Sequence, residues 1–475
     1  MGSGQVTDWQ GKHVTVAGLG VSGIPAAKVL QGLGAVVTVV NDGDDERARV
    51  QAAELEALGI TVRLGDGATL PQGTELVVTA PGWKPDKPLF TAARAAGLEI
   101  WGDVELAWRL RGPDAAPWLA VTGTNGKTTT VQMLASILTA AGLRTAAVGN
   151  IGVSLLDAVL GDEEYDVLAV ELSSYQLHWA PSLRAHSAAV LNLAPDHLDW
   201  HGSMEAYAAD KGRVYEGNRI ACVYNVADKA TEDLVREADV EEGCRAVGFT
   251  LGTPGPSQLG VVEGILVDRA FVENRQKNAQ ELAEVSDVNP PAPHNIANAL
   301  AAAALARAYG VPAAAVRDGL RAFTPDAHRI AHVADVDGVA YIDDSKATNT
   351  HAAGASLAAY ESIVWIAGGL AKGATFDELV AGAAGRLRGV VLIGADRALI
   401  REALARHAPE VPVVDLDRTD TGAMLAAVRE ARTLARTGDT VLLAPACASM
   451  DMFVNYNRRG DAFAEAVREL ASTDG

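Results

Sequence analysis

The segment from Ala120 to Thr130, Ala-Val-Thr-Gly-Thr-Asn-Gly-Lys-Thr-Thr-Thr, constrains the fold of this 475-residue chain more than any other. An apolar run enters a glycine-rich turn, and a helical pattern follows it. Glycines let backbone N–H groups face phosphate oxygens, and a helix N-terminus adds partial positive charge. The strict pattern has glycine at position 121, where this chain has valine. The segment predicts strand, phosphate loop and helix, with Lys127 on nucleotide phosphates and Thr128 on Mg²⁺.

The charge balance excludes some classes of function. With 40 basic and 60 acidic residues, the formal net charge is −20, whereas a general nucleic-acid binder would present a basic face. The three cysteines form no metal-binding or CxxC spacing, which favours a reducing cytoplasm. The first residues show no secretory signal, and no apolar run could span a bilayer. We therefore expect a cytoplasmic protein without nucleic-acid partners or membrane insertion.

Alternating strand and helix patterns predict an α/β protein with parallel sheets. We expect three domains: a Rossmann-like N-terminal domain at 1–115, a central P-loop domain at 116–323 and a Rossmann-like C-terminal domain at 324–475. Within the central domain, residues 250–293 are less regular and predict a hairpin, peripheral strands and a loop, with no assigned function.

Several other motifs lie where α/β sheets bind ligands. Gly18-Leu-Gly-Val-Ser-Gly23 follows a predicted strand and matches a dinucleotide-type turn, with Asn41 about 20 residues on. Glu171 ends an apolar strand, where a carboxylate can hold Mg²⁺ directly or through water. His197 lies among acids and a second histidine, which indicates metal or proton chemistry, although a hydrogen-bonded core histidine is the alternative. Lys211 belongs to a helical pattern in which a lysine is usually solvated.

The ordered set of motifs resembles the Mur ligase family over nearly the whole chain. The motifs are Gly-Thr-Asn-Gly-Lys-Thr-Thr at 123–129, Glu-Leu-Ser-Ser-Tyr-Gln-Leu at 171–177, Asp-His-Leu-Asp at 196–199, His-Asn-Ile-Ala-Asn at 294–298, Asp-Asp-Ser-Lys-Ala-Thr-Asn at 343–349, Gly-Gly-Leu-Ala-Lys-Gly at 368–373 and Pro-Ala-Cys-Ala-Ser-Met-Asp-Met-Phe at 445–453. The last two resemble the D-glutamate-adding member. The family's loop is shorter than a full Walker A, which accounts for Val121.

The resemblance implies an ATP-dependent amide ligase that adds D-glutamate to UDP-N-acetylmuramoyl-L-alanine through an acyl phosphate. Such an enzyme serves cytoplasmic peptidoglycan synthesis, and so cell-wall biogenesis, cell shape and division. It implies ATP, two Mg²⁺ sites and those two substrates as partners, and we expect a monomer.

The resemblance also implies residue roles. Catalysis falls to Lys127, Glu171, His197 and Lys211. ATP contacts are Gly123, Thr124, Asn125, Gly126, Lys127, Thr128, Thr129, Asn295, Asn298, Arg329 and Asp344. Contacts to the UDP substrate are Ser22, Asn41, Gly82, Asn150 and His197. The D-glutamate site comprises Lys346, Thr348, Lys372, Ser449 and Tyr456, where the family pattern has phenylalanine at the last position. Metal ligands are Thr128, Glu171, His197 and Lys211 as a carbamate.

Three alternatives compete with this interpretation. A family member that adds another amino acid is disfavoured because the Asp-Asn-Pro-Arg motif of the diaminopimelate-adding enzyme is absent and Asn125 stands where the alanine-adding enzyme has histidine. A non-catalytic nucleotide-binding regulator is disfavoured by intact Lys127, Glu171, His197 and Lys211. An NAD-dependent oxidoreductase would account for the first turn and leave the other two domains unexplained.

Overall fold

The computed structural model describes residues 8–418, 420 and 422–473. Residues 1–7, where the sequence predicts no secretory signal, lie outside the described residues. The strands are β1 His13–Ala17, β2 Val36–Asn41, β3 Thr61–Leu64, β4 Leu76–Thr79, β5 Glu99–Gly102, β6 Trp118–Thr122, β7 Ala147–Gly149, β8 Leu168–Glu171, β9 Ser187–Val190, β10 Ala221–Asn225, β11 Arg245–Phe249, β12 Gln258–Val262, β13 Ile265–Asp268, β14 Gln280–Glu284, β15 Ala331–Val336, β16 Val339–Asp343, β17 Ile363–Gly368, β18 Leu387–Ile393, β19 Val413–Asp415 and β20 Thr440–Leu443.

The helices alternate with these strands. They are α1 Gly23–Gly32, α2 Glu46–Glu56, α3 Pro88–Ala95, α4 Asp103–Leu110, α5 Lys127–Ala140, α6 Leu155–Leu160, α7 Ser174–His178, α8 Leu198–His201, α9 Met204–Gly212, α10 Lys229–Glu237, α11 Pro293–Ala308, α12 Ala313–Ala322, α13 Thr350–Leu357, α14 Asp377–Ala383, α15 Arg397–His407, α16 Ala423–Leu434 and α17 Tyr456–Thr473. None of the helices in the described part of the chain is long and apolar enough to cross a membrane.

The first sheet, here the N-terminal sheet, has the order β3-β2-β1-β4-β5 and is parallel throughout. The inner strand β4 is buried along its whole length, whereas the edge strand β3 alternates exposed and half-buried residues. Strands covered by helices on both faces read as continuous apolar runs, which is why β1, β2 and β4 are recognisable in the sequence.

The second sheet, here the central sheet, has the order β14-β13-β12-β11-β10-β9-β6-β8-β7. Strand β6 lies between β8 and β9, and the register pairs Val121 with Glu171 and Thr122 with Val190. The carboxyl ends of these three parallel strands therefore meet at one edge, where α/β sheets bind ligands.

The stretch at 250–293 forms the hairpin that the sequence predicts. Strands β12 and β13 pair antiparallel, and β14 pairs with β13 at the sheet's edge. Glu263 and Gly264, between β12 and β13, have φ values of 49° and 81°. Two consecutive left-handed residues match the twist of a tight hairpin.

Helices α5 and α11 bury the apolar face of the central sheet. In α11, the alanine-rich segment from Ala299 to Ala306 is fully buried, with 0 % exposure at each residue. A helix that is apolar on all sides must be covered on all sides, and small alanine side chains permit that close packing. The Ala/Leu-rich sequence at 295–309 by itself predicts a helix here.

The third sheet, here the C-terminal sheet, has the order β15-β16-β20-β17-β18-β19. Strand β15 is antiparallel to β16, and the other neighbours are parallel. Strand β20 lies between β16 and β17, so the loops that follow these three strands emerge at the same edge. Trp365 of β17 is fully buried and donates its indole N–H to the Ala444 carbonyl at 2.7 Å.

The chain divides into two compact units. One extends to Val288 and includes Ile296–Phe323, and it contains the N-terminal and central sheets; the other combines Asn289–Asn295 with the chain from Thr324 onward and contains the C-terminal sheet. The predicted α/β class with parallel sheets is confirmed.

Candidate functional site

The predicted phosphate loop lies between β6 and α5. Gly126 occupies the N-cap position of the 14-residue helix α5 with φ of 84° and has no side chain to cap it. A Cβ atom added there would lie 2.4 Å from Asn298 Oδ1, so only glycine fits both the backbone and the space. The first N–H groups of α5 are consequently uncapped by a side chain, which makes the helix N-terminus suited to an anion.

Asn192, which the sequence did not single out, holds this loop in shape. Its Oδ1 accepts from the Asn125 backbone N–H at 2.9 Å, and its Nδ2 donates to the Asn125 carbonyl at 3.1 Å. The Thr124 hydroxyl lies 3.0 Å from the Tyr207 hydroxyl and accepts from the Ala194 N–H at 3.0 Å. These contacts tie the loop to the segment after β9 and to α9, so the loop is preorganised.

Lys127 reaches back across the loop that precedes it. Its Nζ donates to the carbonyls of Gly123 and Thr124, both at 2.9 Å. Thr128 is half-buried in the first turn of α5, next to Thr129, which is buried. A lysine and a hydroxyl in these positions can contact phosphate oxygens and a phosphate-bound cation.

Glu171 ends β8 with its side chain only 2 % exposed. Its Oε1 accepts from Asn150 Nδ2 at 2.9 Å, whereas its buried Oε2 has no hydrogen-bond partner in the described part of the chain. A buried carboxylate oxygen without a donor is unfavourable in an apolar setting and is stabilised by a cation. The residues present thus fit a divalent metal at this edge of the sheet.

Lys211 lies on α9 and is also only 2 % exposed. Its Nζ donates to the Gly123 carbonyl at 2.8 Å and lies 4.7 Å from the centre of the Tyr207 ring. Burial, with the nearby charge of Lys127, holds the pKa of Lys211 well below its ordinary value. A lysine with a lowered pKa presents a neutral, nucleophilic amine.

His197 lies in the turn before α8 with a left-handed backbone, φ 54°. Its Nε2 is 3.4 Å from Asp196 Oδ2, and its ring packs on Tyr175 with 4.9 Å between ring centres. Burial lowers the pKa of His197, which favours the neutral imidazole that binds metals. Among the described residues no group of three or more His, Cys, Asp or Glu side chains is arranged to hold a metal, so any Mg²⁺ here would depend on hydroxyl, modified lysine or phosphate ligands as well.

A polar network that the sequence analysis missed supports α9 beside Lys211. Asp210 accepts from His178 Nδ1 at 2.9 Å and from His201 Nδ1 at 3.0 Å, and it pairs with Arg213 Nε at 3.2 Å. His201 Nε2 lies 2.9 Å from the Ser174 hydroxyl. Burial opposes ionisation of Asp210, but hydrogen bonds from the two histidines outweigh it and lower its pKa.

Asp210→Ala is expected to lower the free energy of unfolding by about 3–5 kcal/mol, because it removes the shared partner of two histidines and an arginine in a largely buried site. Denaturant titration of both proteins measures the difference. Asp233→Ala is the matched control, since Asp233 pairs with Lys229 and Arg236 on the surface. Equal unfolding midpoints for the Asp210 and Asp233 variants would contradict the importance of the network.

The glycine turn after β1 is surrounded by residues from neighbouring loops. Asn41 Oδ1 accepts from the Leu19 N–H at 3.1 Å, and the Ser22 hydroxyl donates to Asp103 at 2.9 Å. Burial raises the pKa of Asp103. The Gly82 carbonyl accepts from Trp200 Nε1 at 3.2 Å, which connects this region to the turn of His197.

Trp83 and Lys87, which the sequence analysis did not name, line the same turn. A Cβ atom at Gly18 would lie 2.8 Å from Trp83 Nε1, so the indole covers the turn closely. Lys87 Nζ lies 4.7 Å from the centre of the Trp83 ring and 2.5 Å from Asp42. An aromatic face and a cation beside a glycine turn suit a base and a phosphate.

In the unit with the C-terminal sheet, Asp344 is buried at the end of β16. Its carboxylate accepts from the Ile330 N–H at 3.3 Å and from the Ser356 hydroxyl. Burial raises the pKa of Asp344 to about 6, and the charge of Arg329 opposes this. Asn295, also in this unit, donates from Nδ2 to the Pro290 carbonyl at 3.3 Å.

The residues predicted for the amino-acid site lie on the three loops that leave one edge of the C-terminal sheet. Lys346 Nζ lies 3.8 Å from the centre of the Tyr456 ring. Leu370 and Ala448 exchange two backbone hydrogen bonds of 2.9 Å, which joins the loop of Lys372 to that of Ser449. Thr348 follows Lys346 on the first of these loops. The arrangement offers two lysines and two hydroxyls at one sheet edge.

Comparisons with known proteins agree with the geometry. The family model of the Mur ligase middle domain matches residues 121–306, and that of the Mur ligase glutamate ligase domain matches 328–447. The UDP-N-acetylmuramoylalanine–D-glutamate ligase of Streptomyces avermitilis is 89% identical over 467 residues, which cover 98% of this chain and 100% of the relative. The enzyme of the same name from Thermobifida fusca is 61% identical over 464 residues, covering 97% and 99%.

Solved structures show the same fold at low sequence identity. UDP-N-acetylmuramate-alanine ligase from Thermotoga maritima has a TM-score of 0.54 at 19% identity, covering 96% of this chain and 99% of the other. A pseudomurein peptide ligase from Methanothermus fervidus has a TM-score of 0.57 at 18% identity, covering 97% and 100%. Two family models over the central and C-terminal regions, together with relatives that match nearly the full length, show that this chain belongs to the Mur ligase family.

Proposed function

We propose that this chain is an ATP-dependent ligase that joins D-glutamate to UDP-N-acetylmuramoyl-L-alanine in peptidoglycan precursor synthesis. The observation that carries the proposal is the 89% identity, over 98% of the chain, to a UDP-N-acetylmuramoylalanine–D-glutamate ligase. The buried side chains of Glu171 and Lys211 beside the phosphate loop support it, because a metal ion held there would neutralise charge on the transferring phosphates.

The reaction we propose has two steps, phosphorylation of a carboxylate and then amide formation. The terminal carboxylate of the UDP-linked substrate attacks the γ-phosphorus of ATP, which forms an acyl phosphate and releases ADP. The D-glutamate amine then attacks the acyl carbon, a tetrahedral intermediate collapses, phosphate leaves, and the amine loses one proton. A carboxylate is a poor electrophile, so the phosphate supplies the leaving group. Catalysis is mainly positioning and electrostatic stabilisation.

We assign the phosphate contacts to the loop between β6 and α5. Backbone N–H groups of residues 123–129 and Lys127 hold the ATP phosphates, and Lys127 moves from its loop carbonyls to the γ-phosphoryl group. Mg²⁺ would neutralise phosphate charge; Thr128 and Glu171 would hold one ion, and His197 with Lys211 a second. The unpartnered Glu171 oxygen supports the first site.

We assign Lys211 a role as a carbamate. Its neutral amine adds CO₂, forming an N–C bond and releasing one proton, and the product is an acid on a lysine stem. Burial of the side chain and its lowered pKa support the neutral form that reacts.

The remaining binding residues are assigned to the substrates group by group. We assign the uridine-diphosphate group to Ser22, Asn41 and Gly82, and the muramoyl group to Asn150 and His197. Asn295, Asn298, Arg329 and Asp344 would complete the ATP site. Lys346, Thr348, Lys372, Ser449 and Tyr456 would receive D-glutamate. We further propose a cytoplasmic monomer with domains at 1–115, 116–323 and 324–475; three distinct sheets support the division.

The test of the function is phosphate release from ATP in the presence of Mg²⁺, UDP-N-acetylmuramoyl-L-alanine and a panel of amino acids. Phosphate release that requires both the UDP substrate and D-glutamate is the expected result. If the enzyme prefers L-alanine or diaminopimelate to D-glutamate, it is a ligase with a different amino-acid substrate. Nucleotide binding without turnover would indicate a regulator, and hydride transfer to NAD would indicate an oxidoreductase.

Lys372→Ala is expected to raise the KM for D-glutamate by about 30- to 160-fold, the equivalent of roughly 2–3 kcal/mol for a lost charged hydrogen bond to a carboxylate. The KM for ATP should change far less. Steady-state kinetics with each substrate varied in turn measure both constants. Lys229→Ala removes an exposed lysine that pairs with Asp233 and serves as the control. Equal increases in the two KM values would contradict the assignment.

A further inference from the structure

Arg459, in the first turn of α17, is one of the largest fully buried side chains of the described chain and is only 1 % exposed. Burial lowers its pKa to about 10, so the guanidinium remains charged at neutral pH. A buried charge is unfavourable unless its donors are satisfied. The hydrogen bonds that satisfy this one therefore indicate why an arginine is placed there.

The guanidinium joins two loops of the C-terminal sheet. Nη2 donates to the Ser345 carbonyl at 2.8 Å, and Nε donates to the Ser345 hydroxyl at 3.0 Å. Nη1 donates to the Cys447 carbonyl at 3.0 Å, on the loop after β20. The Ser345 hydroxyl in turn donates to the Tyr456 carbonyl at 2.8 Å, where α17 begins. One planar group thus holds three chain segments.

These three segments carry most of the residues assigned to D-glutamate. Lys346 directly follows Ser345, Ser449 lies two residues after Cys447, and Tyr456 packs its ring under Lys346. The Ala446 N–H also donates to the Ala347 carbonyl at 2.9 Å, so the two loops are in register. A change in the distance between Ser345 and Cys447 would move a lysine and a hydroxyl relative to each other.

A lysine could not replace this arrangement. A guanidinium presents five donors in a rigid plane, whereas an ammonium is a single point charge on a flexible stem. The ATP contact assigned to Asp344 is held separately, by the Ile330 N–H and the Ser356 hydroxyl. Loss of the arginine should therefore disturb the amino-acid site more than the nucleotide site.

We propose that Arg459 is a positioning residue that fixes the loop of Lys346 and the loop of Ser449 at the spacing needed to bind the two carboxylates of the incoming amino acid. This inference rests on the proposed function of the chain as a D-glutamate ligase.

The test uses Arg459→Lys and Arg459→Ala in the full-length enzyme, with KM measured for D-glutamate, ATP and the UDP substrate. We expect Arg459→Lys to raise the KM for D-glutamate at least tenfold and to change the other two KM values less than threefold. Millimolar guanidinium should restore part of the D-glutamate affinity of Arg459→Ala and leave wild type unchanged. Arg458→Ala is the matched control, because Arg458 is the adjacent arginine, 72% exposed, and pairs with Asp461 at 3.6 Å.

Ser345→Ala removes only the bridging hydroxyl and keeps the protein testable if the arginine variants do not fold. It should raise the KM for D-glutamate in the same direction by a smaller factor. If the wild-type enzyme uses D-glutamate, two results would overturn the role of Arg459 and leave the proposed function standing. In the first, Arg459→Lys or Ser345→Ala leaves the KM for D-glutamate unchanged; in the second, the variant raises all three KM values equally. A wild-type enzyme that does not use D-glutamate would overturn the proposed function.

Discussion

Lys127→Ala should reduce ATP-dependent phosphate release by more than about 100-fold, the typical loss when one preorganised charge at a reacting group is removed. Lys127 follows the left-handed Gly126 and donates to the loop carbonyls, so its ammonium is held beside the loop and has a short distance to move to reach a bound phosphate. Single-turnover measurement of phosphate release isolates the chemical step from substrate binding.

The fold of this variant should be unchanged, which circular dichroism and denaturant unfolding check. Lys28→Ala is the matched control: Lys28 is an exposed lysine on α1, the helix that follows the other glycine turn. A Lys127→Ala enzyme with more than about a tenth of wild-type activity would remove Lys127 from the phosphoryl-transfer site, given the expected loss for such a charge.

Lys211→Ala should also lose activity by about 100-fold or more, and short-chain carboxylates should restore part of it. The reason is that an added carboxylate can occupy the space of the shortened side chain and supply the acid that the carbamate provides. Activity is measured with and without acetate or propionate at constant ionic strength, with Lys211→Gln as a variant that fills the space and resists rescue.

A second readout does not depend on turnover. Wild-type enzyme equilibrated with ¹³C-labelled CO₂ should give a carbamate NMR signal that Lys211→Ala lacks. Full activity of Lys211→Ala, or a labelled signal that persists in it, would rule out a functional carbamate at this position.

The phosphate loop, the fold class and many of the inner strands could be predicted from sequence because their signals are contiguous. Gly123 to Thr129 form one contiguous turn and helix start, and the buried strands that were predicted are uninterrupted apolar runs. Strands β5, β7 and β15 at sheet edges, and β10 and β11 inside the central sheet, were not predicted. Strand β14 reads Gln-Glu-Leu-Ala-Glu and carries little apolar pattern, since one face of an edge strand meets water. It pairs with the preceding strand β13 across an irregular segment, and its own residues carry little signal of that pairing.

The site residues that sequence reasoning missed depend on contacts between distant segments. Asp210 meets His178 and His201, 32 and 9 residues away, and Arg459 meets Ser345, 114 residues away. Lys211 by pattern alone is a solvated helical lysine; only the packing of α9 against the loop buries it. Burial and polar partners of this kind are tertiary properties, which local propensity does not encode.

The Gly123 carbonyl accepts hydrogen bonds from two lysine side chains, those of Lys127 and Lys211. An arriving polyphosphate therefore competes with an internal ligand for Lys127 rather than with bulk water. A hydrogen bond to a charged group contributes about 1.5–3 kcal/mol net, so breaking the bonds to the carbonyls cancels part of the attraction between lysine and phosphate. A single phosphate ion therefore gains little binding free energy from such an exchange. A nucleotide gains more, because the helix N-terminus and the contacts to its base and ribose also contribute to binding. The same competition would let the lysine return to its carbonyls once the γ-phosphoryl group is gone, which favours departure of the spent nucleotide.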